Sequence, residues 1–366
     1  MLAVFEAPWA GRIMREITIT ANDAGRRLDR FLRKYLKEAS LSEIYKFIRK
    51  DVKVDGRRRA ESYMLSEGEV LALYLPDEDL VRLSGGRFEI DAGGSDSEHA
   101  DAALRVRSNL PAKRNFELIY EDDQILIASK PYGLLTHGDA HEKKDHLANR
   151  VKDYLIASGA YDPRERVFTP APANRLDRNT TGMVLFGKTS EAMRELTRII
   201  RDNEIRKLYL TMACGIIEDE LHLSGSLVKD EHANKVMVDL QSGEAIEGKH
   251  IETVVLPLEY CEFGDGYSAT LCQVELVTGR SHQIRAHLAS ERHPLIGDSK
   301  YATGEYKGLN DYCRKETGLS TQLLHAYRLD FSESLRGSAS LGYLAGRSFK
   351  SPMPPRFAEI FWKLYG

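Results

Sequence analysis

Asp177 is the only acidic side chain in the twenty residues from Ala171 to Ser190, and it stands between Arg175 and Arg178 just ahead of the turn Asn179 to Gly182. A carboxylate beside guanidinium groups stays ionised at neutral pH and can act as nucleophile or base. A lone Asp in a polar loop more often caps a turn, so taken alone the residue decides nothing. Two further blocks give it company. Arg206-Lys207-Leu208-Tyr209-Leu210 alternates charged and apolar residues as a strand does, with Lys207 and Tyr209 on one face. Thr278 to Leu288 follows the apolar strand Leu271 to Val277 and runs from a glycine turn into a short helix, where Ile284 and Leu288 face the core and Arg285 points elsewhere. Metal chemistry is not indicated. His282 and His287 lie about 140° apart on a helix, and Gly138-Asp139-Ala140 makes a loop of the stretch between His137 and His141.

Gly182 to Thr189 satisfies G-x-x-x-x-G-K-[ST], the phosphate-loop pattern of an NTPase, ahead of a helical stretch from Ser190 to Asn203. Such a cradle needs a bent loop after a strand, whereas Met183 to Phe186 is a bulky apolar run that forms a buried strand itself. Similar alternation at Ile125 to Ala128, Leu208 to Met212 and Leu271 to Val277 points to an α+β domain. With 366 residues the chain has room for two to three domains. No apolar run approaches a membrane span, and the apolar stretch Leu2 to Phe5 is too short for a secretory signal. Four separate cysteines fit buried thiols in a reducing cytoplasm.

The net charge of −3 hides a segregation, because Arg26 to Arg59 holds thirteen Lys or Arg against five acids. Within it Leu28, Phe31, Leu32, Tyr35 and Leu36 form a helical apolar stripe, and Arg30, Arg33, Lys34 and Lys37 repeat the spacing on the other side. A Ser40-x-x-Glu43 capping box opens a second helix burying Ile44, Phe47 and Ile48, followed by a Val52 to Val54 strand, an Asp55-Gly56 turn and a later strand, Val70 to Leu75. Ser84 to Ala103 reverses the sign and is rich in glycine, which reads as a linker. The expected division is residues 1–83 with a core at 26–76, a linker at 84–114 and a large domain at 115–366.

The segment Arg27-Leu28-Asp29, Ile48-Arg49-Lys50 and Val52-Lys53-Val54-Asp55-Gly56 resembles the small RNA-binding module shared by a ribosomal small-subunit protein, tyrosyl-tRNA synthetases and many RNA-modifying enzymes. It departs at Asp51 and Asp55, where that module more often has Gly and Asn. The resemblance implies RNA contacts by Arg30, Arg33, Lys34, Lys37, Arg49 and Lys50. The large domain resembles the RluA-type pseudouridine synthases, which isomerise uridine to pseudouridine in rRNA or tRNA. Their His-Arg-Leu-Asp, Lys-x-Tyr and Thr-Gly-Arg-x-His-Gln-Ile-Arg blocks match Asn174 to Asp177, Lys207 to Tyr209 and Thr278 to Arg285. Lys130-Pro131-Tyr132-Gly133, His293 to Asp298 and Leu324-His325-Ala326 follow in the family's order. Asn174 stands where the family usually has His, which leaves open how the catalytic loop is held.

This resemblance implies a mixed, mostly antiparallel sheet with a central cleft, preceded by a small α/β-type RNA-binding module. It implies Asp177, Tyr209 and Arg285 as catalytic residues, with Asp177 either attacking the sugar or deprotonating it to a glycal. Tyr209 would stack on the base and accept the proton from carbon five, while Arg285 would pair with Asp177. Arg175, Arg178, Lys207, Arg280, His282 and Gln283 are the expected substrate-binding residues. The expectation is a monomer without cofactor or metal, acting in the cytoplasm on RNA. Large-subunit rRNA and the RluC-like branch are favoured; a tRNA target and a non-catalytic RNA-binding protein of this fold are the alternatives.

Overall fold

The computed structural model describes residues 14–75, 77–83, 116–163, 168–230, 235–239, 249–264 and 266–365, so the expected linker at 84–114 lies outside the described residues. The chain divides into two compact units: Met1–Lys113 with Leu155–Pro170 and Thr189–Glu191, and Arg114–Tyr154 with Ala171–Lys188 and Ala192–Gly366.

In the first unit, β1 (Met14–Thr18), α1 (Leu28–Tyr35), α2 (Leu41–Lys50), β2 (Val52–Val54), β3 (Val70–Tyr74) and α3 (Asp77–Leu83) follow in order. Phe31, Leu32, Ile44, Ile48, Val54, Leu71 and Leu73 share one core, whereas Phe47 is only partly buried. The capping box is formed in full, with the Ser40 side chain on the Glu43 N–H and the Glu43 carboxylate on the Ser40 N–H. Asp55 and Gly56 both have positive φ, 47° and 71°, as a tight two-residue turn requires. That turn closes only a bridge from Val54 to Arg57. The actual partner of β2 is β3, which lies between β1 and β2. All these pairings are antiparallel, so the module is short helices on a small antiparallel sheet, as expected of it. Arg30, Arg33, Lys34, Lys37, Arg49 and Lys50 are all exposed.

The elements that follow are β4 (Glu117–Glu121), β5 (Ile125–Lys130), α4 (Leu147–Ala157), β6 (Ala171–Pro172), β7 (Thr181–Gly187), α5 (Ser190–Arg201), β8 (Ile205–Cys214), β9 (Leu221–Asp230), β10 (Lys235–Asp239), β11 (Lys249–Phe263), β12 (Tyr267–Leu276), α6 (Gln283–Ser290), α7 (Lys307–Thr317), β13 (Leu324–Phe331), β14 (Ser348–Lys350) and α8 (Pro355–Tyr365), all in the second unit except the last three residues of α4 and the first two of α5. One sheet runs β10-β9-β11-β12-β8-β13-β7-β5-β4. Among the described residues its strands pair in parallel only where β13 meets β7, near the centre. There Gly182 has φ +108°, and a Cβ on it would lie 2.2 Å from the Ala326 carbonyl oxygen, so only glycine lets the two strands meet. The phosphate-loop match is thereby dissolved: its interior is buried strand β7, and its lysine, Lys188, is paired with Glu121. Among the described residues no helix is long and apolar enough to cross a membrane.

Candidate active site

Asp177 lies on the loop between β6 and β7, and that loop is clamped on both sides of it. Before it, Leu176 is 8% exposed, and the Thr136 hydroxyl both accepts from the Leu176 N–H at 3.1 Å and donates to the Leu176 carbonyl at 3.0 Å. After it, the Arg178 carbonyl accepts from Lys130 Nζ at 2.9 Å. Lys130 is 1% exposed and also donates to the Leu134 and Pro131 carbonyls at 2.7 and 3.2 Å. Burial draws its pKa down to about 7, opposed by the charge of Asp177. Three carbonyl acceptors need three N–H donors, which only an ammonium has, so the clamp holds the proton on Lys130.

Asn174 secures the start of the loop. Its Oδ1 accepts from the Leu185 N–H on β7 at 2.8 Å, and its Nδ2 reaches the Met183 carbonyl at 3.5 Å. An Asn amide, which offers both donor and acceptor, thus ties this loop to the adjacent strand.

The carboxylate so placed faces α6. Arg285 Nη1 donates to Asp177 Oδ2 at 3.2 Å, while Arg285 Nε and Nη2 grip Asp298 Oδ2 and Oδ1 at 2.6 and 2.9 Å. Burial opposes the charge of Arg285, but the bonds and charges of Asp298 and then Asp177 outweigh it and raise its pKa. Asp298 is 1% exposed and also accepts from the Lys300 and Tyr301 N–H groups. It anchors the guanidinium, leaving one edge for Asp177. Asp298 ends the block His293 to Asp298, but nothing in sequence spacing pairs it with Arg285, thirteen positions earlier in a different turn; the fold alone unites them.

His282 precedes α6 with φ +59°, a left-handed conformation uncommon outside glycine. Its Nδ1 is 3.1 Å from the Tyr301 hydroxyl and its Nε2 is 3.8 Å from Asp177 Oδ2. Burial lowers its pKa first of all, with Arg285 and Lys300 adding to this and Asp177 and Asp298 opposing. Tyr209 on β8 is 5% exposed. Burial, and then the charge of Asp177, push its pKa well above the ordinary phenol range. Lys207, two residues earlier on the same face, is lowered by burial against the pull of Glu275.

These groups converge on a cleft of about 680 Å3 lined by Arg175, Asp177, Arg178, Lys207, Tyr209, Arg280, His282 and Arg285. Gln283, also expected to bind substrate, does not line this cleft. It is 1% exposed and lines a smaller crevice of about 50 Å3 that it shares with Asp177, Tyr209 and Arg285. Its carbonyl accepts from the Thr278 hydroxyl and Arg280 N–H, and its amide donates to the Glu252 carbonyl and Thr253 hydroxyl. With both ends of the amide spent on protein, Gln283 braces the glycine turn. Arg178 reaches Asp139 at 3.4 Å with half its side chain exposed, a weak surface pairing that leaves it able to turn toward a ligand at the cleft edge. The arrangement offers a fixed carboxylate beside a buried guanidinium, an aromatic wall and a rim of cations. It suits attack on, or proton removal from, a sugar carried by a polyanion.

The profile of the family described as RNA pseudouridylate synthase matches residues 124–290. The chain is 31% identical over 322 residues to the Ribosomal large subunit pseudouridine synthase C of Escherichia coli (strain K12), with 86% of this chain and 88% of that protein covered. To the protein of the same name from Haemophilus influenzae it is 30% identical over 343 residues, covering 90% and 92%. A solved structure titled Human RNA Pseudouridylate Synthase Domain Containing 4 aligns at 17% identity over 73% of this chain and 97% of that chain, with a TM-score of 0.49.

Proposed function

The chain belongs to the RluA-type pseudouridine synthases, on their RluC-like side, and from this premise we propose that it isomerises specific uridines of large-subunit ribosomal RNA with Asp177 as the catalytic carboxylate. The observation that carries this reading is the clamp: Asp177 is fixed between Thr136 and Lys130 and aimed by Arg285 into a cleft walled by Tyr209. A loop held at both neighbours keeps a reactive group in place without further ordering when substrate arrives.

The target uridine leaves its stack and enters the cleft, at a cost of a few kcal/mol offset by stacking and phosphate contacts. Arg175, Arg178 and Arg280 supply cations for the backbone, and Tyr209 receives the flat face of the base. Asp177 then either attacks the sugar or removes a proton from it, and the bond from base nitrogen one to the sugar breaks with its electron pair on the base. The base turns and carbon five bonds to the sugar, which displaces the Asp177 carboxylate in the first route and takes the sugar's proton back from Asp177 in the second; the proton on carbon five is then lost while nitrogen one gains one, so atoms and electrons balance and Asp177 is regenerated. The raised pKa keeps Tyr209 a phenol, which favours its stacking role over that of a free base for the carbon-five proton.

Mapping pseudouridines in total RNA with and without the gene tests the substrate. The expected result is the loss of particular pseudouridines from large-subunit rRNA alone. Loss from tRNA instead would move the target to the other branch, and an unchanged map would remove the reading.

A further inference from the structure

Behind one wall of the reaction cleft lies a second cavity of about 420 Å3, and Asn179, Thr321 and Gln322 line both. Its other walls are largely apolar, with Leu319 and Leu323 on the loop before β13 and Phe357 and Ile360 on α8. Gln322 is only 6% exposed, yet its amide forms no hydrogen bond among the described residues. Nor does that of Asn179, which is half-buried. Neither amide is among the buried side-chain polar atoms left without a partner, so both keep their polar atoms open to the space they line and have no protein group to compete with a ligand there. Two such side chains at one junction leave two carbonyl acceptors and two NH2 groups unspent. On the rim Tyr132 is 58% exposed, and its hydroxyl is hydrogen-bonded to Thr321 at 2.9 Å, which fixes an aromatic ring at the mouth.

We propose that this cavity receives a nucleobase of the substrate RNA adjacent to the target uridine, with Gln322 and Asn179 reading its edge and Tyr132 covering its face. The proposal rests on the RNA-isomerase reading and extends it to how the enzyme chooses among uridines. Continuity favours a neighbouring base over an unrelated ligand, because a strand whose uridine occupies the cleft must lead its next nucleotide past the shared wall. The chemistry agrees: an apolar slot suits the flat face of a base, and primary amides pair with base edges through two bonds at once. An aliphatic ligand would leave both amides unsatisfied.

The test uses the full-length protein and a synthetic RNA hairpin bearing the uridine found by mapping. Second-order conversion rates are measured on the intact hairpin and on hairpins with an abasic ribose at each flanking position in turn, for wild type, Gln322→Leu and Tyr132→Ala. At one flanking position the abasic RNA should slow wild type by about tenfold or more. At that same position it should slow either variant by less than about twofold, because the protein side of the interaction is already removed. Tyr132 is exposed, so its variant keeps the test alive if Gln322→Leu does not fold. Equal abasic effects in wild type and variants at every position would overturn the proposal while leaving the isomerase reading intact. Failure of wild type to convert the intact hairpin would overturn that reading, and this proposal with it.

Discussion

Arg285 carries two acids at once, and this decides how it can be tested. Replacing it by Met would strand Asp298, a 1% exposed carboxylate, without its main partner, and breaking a buried pair costs about 3–5 kcal/mol. Reduced turnover in that variant would be confounded by unfolding. Arg285→Lys keeps the charge near Asp298 but loses the planar fork that reaches Asp177 at the same time. We expect it to fold and bind RNA like wild type while its single-turnover rate falls by about 10²-fold or more, the loss typical of a misplaced electrostatic partner. Equal rates would show that the bond to Asp177 is incidental. The arginine is legible in sequence as part of a block, and so is Asp177, because an acid alone among twenty residues stands out. Asp298 closes the matched block His293 to Asp298, but its pairing with Arg285 is not legible, since ion-pair partners far apart in sequence leave no periodic trace. The bonds of Gln283 to the glycine turn are not legible either, because a polar residue inside a functional block can serve the backbone as readily as the substrate.

The elements most readable from sequence are those with strong local periodicity. The stripes of α1 and the apolar run of β7 need no tertiary information, and the run's bulk is enough to reject the phosphate loop. β11 escapes for a physical reason: Pro257 interrupts it, and the strand continues only because a bulge between Pro257 and Glu259 absorbs the break. β1 precedes the basic core and shows little apolar pattern of its own in Met14–Thr18. On α6, His287 is fully buried, with Nδ1 on the Thr253 hydroxyl and Nε2 without a partner among the described residues, and burial takes its pKa down to about 4. The sign follows. The unfolded chain takes up a proton near the ordinary value of 6.5 that the folded chain refuses until about 4, so this stability is fully present above that window and is lost as pH falls through it. A shift of this size is worth roughly 3 kcal/mol at most. His287→Gln should therefore flatten the acid side of the stability profile, measured by denaturant unfolding at a series of pH values. An unchanged profile would mean that the ring titrates normally.

For the whole molecule, a formal charge of −3 coexists with a segment of thirteen cations and five acids. Net charge alone would argue against a polyanionic substrate, whereas the distribution argues for one. Replacing exposed Arg30, Arg33, Lys34 and Lys37 by Gln should weaken RNA binding and lower the salt slope by about 0.7–0.9 for each phosphate that is no longer neutralised. A slope equal to that of wild type would assign the module some other partner. The central claim, that one clamped carboxylate performs the isomerisation, is tested most directly by Asp177→Asn. Single-turnover conversion of purified target RNA at saturating enzyme should fall to background while RNA affinity stays within a few-fold, since one negative charge leaves a cleft rimmed by cations. Pseudouridine formed by Asp177→Asn at a rate comparable to wild type would contradict the account.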